Sequence, residues 1–236
     1  MAVAFDAWTV LPHEPIEKIG ENLWTVEGKM PDGKTQRRMV VARLADGRLV
    51  VHNAIALDDA EMKELDAFGK VAAIVVPNAF HRQDSRIFKK RYPDAKVYCP
   101  RGSTKKVLAA VPVDGDYTQV PSDATVRAFH LEGVKDREGV LEIESADGRT
   151  LVFNDAVLNM TKLRGLFGFL LSPTGRPSVP RVMRYFIVSD RRALADHLLR
   201  LAQSTNLKRI MVAHGRTIVE NPGGVLSSVA RELAGV

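Results

Sequence analysis

The sequence has a single cysteine, Cys99, among its 236 residues. One thiol excludes internal disulfide bonds and a cysteine-based zinc cage. No apolar run is long enough to span a bilayer, and the first residues lack the basic and apolar regions of a secretory signal. The composition, with 45% apolar and 26% charged residues, is typical of a globular protein with a sizeable core. We therefore expect a cytoplasmic protein.

Acidic residues are missing between Asp155 and Asp190, whereas five cations lie there: Lys162, Arg164, Arg176, Arg181 and Arg184. These five account for most of the formal charge of +6. They are interleaved with an apolar run from Leu166 to Leu171, and the few aromatic rings make no array suited to bases, so we do not expect nucleic acid as a partner. We predict a basic, apolar insertion at about 161–184, interpreted as a solvated loop that lies over a pocket. Its apolar run leaves three partners open, namely a hydrophobic substrate, a lipid surface or a second subunit, with a homodimer contact as the default.

Short apolar runs bounded by turn residues alternate with helical patterns along the rest of the chain. Two hairpins are predicted around the turns Asp46-Gly47 and Asp147-Gly148. The uninterrupted apolar run Val71 to Pro77 is typical of a strand that is buried on both faces. Helices are predicted near 57–68, 84–91, 190–204 and 224–233. We predict one α/β domain over residues 1–236, made of two similar halves, with two sheets packed face to face and helices outside.

Polar residues follow four of the apolar strands at the point where each strand ends. They are His52, Asn78 with His81, Asp155, and His214. In α/β folds the loops after strand ends carry the functional side chains, because the sheet holds them around one crevice. Three histidines and a carboxylate in such positions predict a metal site or an acid–base cluster.

The remaining reactive residues have structural interpretations. Cys99 lies in an apolar strand and is expected in the core. His130 and His197 are expected to be packed or surface residues, and Lys105 and Lys106 to lie on a solvated helix face. No glycine-rich phosphate-binding spacing occurs.

The order of these features resembles the metallo-β-lactamase-like superfamily from about Glu21 to Gly224. The segments that carry the resemblance are the first hairpin, VVPNAFHRQD, DGRTLVFNDAV and VAHG. The resemblance implies a four-layer αβ/βα sandwich with a metal site at the shared edge of the two sheets, and a hydrolase activity. It points to a divergent branch in which Pro-Asn followed by histidine replaces the usual metal-binding loop.

The usual metal-binding loop of that superfamily, His-x-His-x-Asp-His, is absent. The matching positions hold Asn78, Phe80, Arg82 and Gln83. The position of the third histidine of the family falls near Glu132 to Val134, where no ligand stands. A two-metal hydrolase needs enough ligands to hold two cations close together, and the usual positions do not supply them here.

Two positions do match the family's metal ligands, namely Asp155 after GRTLVFN and His214 in the late His-Gly. His81 lies one residue beyond a lost ligand, and His52 stands where the family usually has an aspartate. The resemblance therefore implies Asp155 and His214 as metal ligands, with His81 or His52 as a third ligand or a base.

Three states of this cluster stay open from the sequence. It holds one zinc or other divalent ion, or it is a metal-free cluster in which Asp155 orients a histidine as general base, or it is a vestige without chemistry. Asn78 and Arg82 are predicted to bind substrate, Arg82 as a donor to an anionic group. The predicted function is a hydrolase of a small ester, lactone or other anionic compound; the alternative is a binding or scaffold protein that keeps the fold.

Overall fold

The computed structural model describes residues 4–235. The strands are β1 (Glu17–Gly20), β2 (Leu23–Lys29), β3 (Gln36–Arg43), β4 (Arg48–His52), β5 (Lys70–Val75), β6 (Lys96–Tyr98), β7 (Val126–His130), β8 (Gly139–Ser145), β9 (Gly148–Phe153) and β10 (Leu207–Val212). The helices are α1 (Asp59–Phe68), α2 (Ser85–Arg91), α3 (Thr104–Val107), α4 (Gly165–Leu170), α5 (Arg181–Phe186), α6 (Arg191–Ala202) and α7 (Pro222–Ala234). Within the described range, none of these helices has the length and apolarity needed to cross a membrane.

The strands form two sheets. One has the order β1-β2-β3-β4-β5-β6 and the other β10-β9-β8-β7. Both predicted hairpins are present, as the antiparallel pairs β3–β4 and β8–β9. Parallel pairing occurs at β4–β5–β6 and at β9–β10. In each sheet, therefore, polar residues that follow neighbouring parallel strands emerge at the same edge.

Three apolar cores separate four layers. The middle core joins side chains of both sheets, among them Val50, Leu141 and Met211. The outer face of the first sheet packs against α1 and α2, and the outer face of the second sheet against α6 and α7. The order helix, sheet, sheet, helix confirms the predicted α/β sandwich, and Cys99 lies buried in the outer core of the first sheet.

The segment at 161–184 differs from the predicted loop. It contains α4 and the start of α5, each only six residues long. Helices of fewer than two turns are too short for a helical period to stand out in the sequence. Arg184 donates to Glu232 of α7 at 2.8 Å, and Arg176 donates to the same carboxylate at 2.5 Å. These two ion pairs attach the segment to the outer helix layer.

Candidate functional site

Asp155 and His214 are neighbours because of the register between β9 and β10. Phe153 is paired with Val212 in this parallel ladder, and each functional residue follows two positions later. Parallel register therefore brings the carboxylate and the imidazole side by side at the end of the second sheet.

His81 reaches the same point from the first sheet, on the loop after β5. Asn78 shapes this loop, since its Oδ1 accepts hydrogen bonds from the backbone N–H of Phe80 at 2.8 Å and of His81 at 3.3 Å. This is an Asx turn, in which the side chain substitutes for a backbone acceptor. Asn78, predicted to bind substrate, thus stabilises the backbone of the loop that carries His81.

The side chains of His81, Asp155 and His214 converge on one point. His81 Nε2 lies 3.2 Å from Asp155 Oδ1, and His214 Nε2 lies 3.3 Å from the same oxygen. The two Nε2 atoms are 3.2 Å apart. Three donor atoms from three segments therefore form a nearly equilateral triangle.

His214 is held by a backbone carbonyl on its outer side. Its Nδ1–H donates to the carbonyl oxygen of Gln36 at 2.5 Å. Since a carbonyl only accepts, the proton of the neutral ring lies on Nδ1 and the lone pair of Nε2 points toward Asp155 and His81. The Nδ1 of His81 is buried and has no hydrogen-bond partner among the described residues, so His81 lacks the outer support that His214 has.

The environment separates the pKa values of the three groups. Burial raises the pKa of Asp155, but the two histidines outweigh it by charge and hydrogen bonding and hold that pKa well below its usual range. Burial lowers the pKa of His81 despite the nearby carboxylate. For His214, burial is outweighed by the hydrogen bonds that its protonated ring donates to Asp155 and to the Gln36 carbonyl, so its pKa is raised. Asp155 is therefore ionised, and His214 is the ring that takes up a proton first.

These three residues fit a zinc-type cation. Two imidazole nitrogens and a carboxylate oxygen are ligands that zinc takes in proteins, and donor atoms on a tetrahedral zinc lie about 3.3 Å apart. The triangle has sides of 3.2 to 3.3 Å. The bond from His214 to Gln36 is the kind of outer contact that orients a ligating histidine.

Glu138, which the sequence did not single out, adjoins this group. Its Oε1 accepts from the backbone N–H of Ala156 at 2.6 Å, and the amide of Asn78 donates to Glu138 Oε2 at 3.4 Å and to Asp155 Oδ2 at 2.7 Å. Burial and the charge of Asp155 raise the pKa of Glu138 well above its usual range. The only sequence signal is its place directly before an apolar strand, and the preceding Arg137 makes the pair look like surface charges.

His52 does not join the three converging residues. It lies at the end of β4, two positions after Val50, and therefore shares the face that packs between the sheets. Its Nε2 is 3.2 Å from the Tyr117 hydroxyl, and burial lowers its pKa to about 3. The ring is neutral and deep in the middle core, and His81 is the histidine that lies beside Asp155 and His214.

Arg82 also departs from its expected place. Its guanidinium donates to the backbone carbonyl oxygen of Lys106, and it is absent from the lining of the cavity beside the cluster. The adjacent Phe80 does line that cavity, with 48% of its surface exposed.

A cavity of about 390 Å³, called here the large cavity, lies against His81, Asp155 and His214. Most of its other walls are apolar. Part of its lining comes from the 161–184 segment, namely Leu171, Pro180, Val182 and Met183. The segment therefore contributes to the lining of the large cavity.

No family model matches this sequence, and a comparison with curated proteins finds no match. Solved structures of metallo-β-lactamases do match its fold. FIM-1 from Pseudomonas aeruginosa, in a mono-zinc form, is 12% identical and superposes over 96% of this chain and 98% of its own, with a TM-score of 0.62. For a metallo-β-lactamase from Hirschia baltica the identity is 11%, the coverage 93% and 98%, and the TM-score 0.56. The chain therefore has the metallo-β-lactamase fold.

Proposed function

We propose that this protein is a hydrolase that holds one divalent cation, with His81, Asp155 and His214 as its protein ligands. The supporting observation is the triangle of two nitrogens and one oxygen with sides of 3.2 to 3.3 Å. The substrate is a small ester, lactone or other anionic compound. Among the described residues, one group of histidine and acidic side chains, the triangle itself, converges closely enough to hold a cation. The proposed site therefore takes one ion.

Each residue around the proposed ion has a definite part in this proposal. Asp155 supplies the negative charge, and the Asn78 amide holds its second oxygen at 2.7 Å. The Gln36 carbonyl keeps the Nε2 lone pair of His214 directed inward. A bound divalent ion would polarise a carbonyl and lower the pKa of a water molecule. The apolar walls of the large cavity exclude bulk water and bind the apolar part of the substrate.

Metal analysis tests the ligand set directly. Protein purified without a histidine tag is dialysed against zinc or manganese and assayed for bound metal, and its unfolding is followed with and without the ion. We expect about one equivalent of metal and a gain of about 2.7 kcal/mol in unfolding free energy at a hundredfold excess over the dissociation constant. Asp155→Asn and His214→Asn remove both effects.

His130→Gln is the matched control, because His130 has no hydrogen-bond partner among the described side chains and lies outside the triangle. It should bind metal as the wild type does. Bound metal below about a tenth of an equivalent, with no gain in stability, would refute the cation site.

Hydrolysis is tested by a screen of small esters and lactones. We expect turnover that Asp155→Asn abolishes while the folded structure persists by circular dichroism. The alternative function, a binding protein that has lost the chemistry, predicts that no screened substrate turns over and that Asp155→Asn changes stability alone. The partnerless Nδ1 of His81 is the observation that favours this alternative.

We further propose that the protein acts in the cytoplasm on a small molecule and forms a homodimer. The feature that supports the homodimer is the exposure of five large apolar side chains on α4 and α5, namely Leu166, Phe169, Leu170, Tyr185 and Phe186. Exposed apolar patches of this kind are usually covered by another protein surface. Sedimentation velocity should give a dimer that Phe169→Glu dissociates; a monomer at all concentrations would refute the pairing.

A further inference from the structure

A second cavity of about 250 Å³ adjoins the large cavity; it is called here the side cavity. Three cations line it: Lys105, Lys106 and Arg137. The sequence placed both lysines on a solvated helix face, and α3 does expose them. The loop before β8 brings Arg137 to the same cavity as these lysines, so the fold concentrates positive charge around one concave surface.

The three cations have no carboxylate within ion-pair distance among the described residues, whereas most arginines of the same range pair with a carboxylate. Arg137 donates one N–H to the carbonyl oxygen of Phe186 at 3.0 Å. This bond fixes one edge of the guanidinium and leaves further N–H groups for a ligand. The ammonium of Lys106 lies 5.7 Å from the centre of the Phe80 ring.

Glu138 is the acidic residue on this lining, and it does not pair with the cations. One of its oxygens accepts from the Ala156 backbone at 2.6 Å and the other from the Asn78 amide at 3.4 Å. The side chain is 1% exposed. The positive charge of the side cavity is therefore available to a ligand.

The two cavities are neighbours that share three lining residues. Phe80, Met183 and Ile187 line both of them. Asn78 borders the side cavity and donates to Asp155 Oδ2 at 2.7 Å. A molecule of moderate size can thus place one end at the cations while its body lies against the apolar walls beside His81 and Asp155.

The geometry points to the side cavity as an anion-binding subsite that takes a carboxylate or phosphate group of the ligand whose apolar part fills the large cavity. Lys105, Lys106 and Arg137 are its donors, in the role that the sequence gave to Arg82. The link to a substrate rests on the proposed hydrolase function. The binding of the anion does not.

Anion binding is measured on the whole protein in excess chelator, so that no metal ion contributes. Inorganic phosphate and acetate are titrated separately, with the shift of the thermal midpoint and ³¹P line broadening as readouts for phosphate and the midpoint alone for acetate. We expect the triple variant Lys105→Gln/Lys106→Gln/Arg137→Gln to weaken the preferred anion by at least about tenfold. Arg137→Lys, which keeps the charge, should retain more affinity than Arg137→Gln.

Lys63→Gln is the matched control, because Lys63 is an exposed lysine of α1 that lines neither cavity. It should bind both anions as the wild type does. Equal affinity in the triple variant and the wild type, or an equal loss in Lys63→Gln, would overturn the subsite. A stronger response to phosphate than to acetate assigns a phosphate group, and the reverse assigns a carboxylate.

Asp155→Asn separates the subsite from the proposed chemistry. In chelator this variant should bind the preferred anion within about threefold of the wild type, because Asp155 is not a donor to the anion. Loss of hydrolysis with anion binding intact supports both proposals. Anion binding in a protein that shows neither metal binding nor turnover supports the subsite and refutes the hydrolase. Metal binding and turnover without anion binding refute the subsite alone.

Discussion

At the scale of residues, burial decides what the histidines can do. His52 and His81 are both buried, yet only His81 has a carboxylate beside it, at 3.2 Å. His52 has the hydroxyl of Tyr117 instead and no charged partner. An imidazole without a compensating anion stays neutral in an apolar core, so His52 stabilises the packing only while it is uncharged.

The pH dependence of stability tests whether His52 stabilises the fold only in its neutral form. Unfolded His52 takes up a proton below about pH 6.5, whereas burial holds the pKa of the folded residue near 3. Acid within this window therefore favours the unfolded chain, by up to about 1.4 kcal/mol per pH unit. When the pH falls from about 7.5 to about 5, urea unfolding should show a smaller loss of unfolding free energy for His52→Gln than for the wild type. Parallel pH profiles for the two proteins would contradict it.

The ion pair of Arg37 and Asp84 is the second residue-scale prediction. Both side chains are almost fully buried and hydrogen-bonded to each other, and Asp84 also accepts from the Ala56 backbone at 3.0 Å. Asp84→Ala leaves a buried guanidinium unpaired and should cost about 3–5 kcal/mol in unfolding free energy. The double variant Arg37→Met/Asp84→Leu removes both charges and should cost far less. A small effect of Asp84→Ala alone would show that water reaches Arg37.

At the scale of elements, local sequence signals predicted the helices that are long enough to show a helical period. Asp58 caps α1, accepting from the backbone N–H groups of Ala60 and Glu61, both at 3.0 Å, and Gly69 ends it. The sequence predicted this helix near 57–68, which agrees with the observed Asp59–Phe68. The six-residue helices α4 and α5 were missed, because a helix of this length makes few internal hydrogen bonds and depends on contacts with other elements.

The cap of α1 gives a prediction with a built-in control. Asp58→Ala removes the acceptor for two backbone N–H groups and should cost about 1 kcal/mol in unfolding free energy. Asp59→Ala removes a neighbouring negative charge from the first turn without removing the cap, and should cost about 0.3–0.5 kcal/mol. Urea denaturation of the two variants checks the order. Equal losses would show that charge at the helix end matters and the cap does not.

At the scale of the whole molecule, the middle core joins the two sheets that carry the site. Leu141 is fully buried there, on β8 of the second sheet. Both tryptophans, Trp8 and Trp24, pack against the outer core of the first sheet. Tryptophan fluorescence therefore reports the first sheet, and a change on β8 tests whether the sheets unfold together.

Leu141→Ala should lower the unfolding free energy by about 2–5 kcal/mol, because it opens a cavity between the sheets. We expect the midpoint seen by tryptophan fluorescence to fall together with that seen by far-ultraviolet circular dichroism. An unchanged fluorescence midpoint would mean that the first sheet is stable without the second. In that case the geometry that brings His81 to Asp155 would not depend on the middle core.

The sequence by itself determined the layers of the molecule and the strand ends that carry His81, Asp155 and His214. It could do so because apolar periods, caps and turns are local, and because residues that follow parallel strands must emerge at one edge. The tertiary structure decided that His81 and not His52 completes the triangle, that Arg82 lies outside the large cavity and that Lys105, Lys106 and Arg137 surround the side cavity. Such choices depend on the face of a strand and the path of a loop, which packing between distant segments fixes and which no local pattern records.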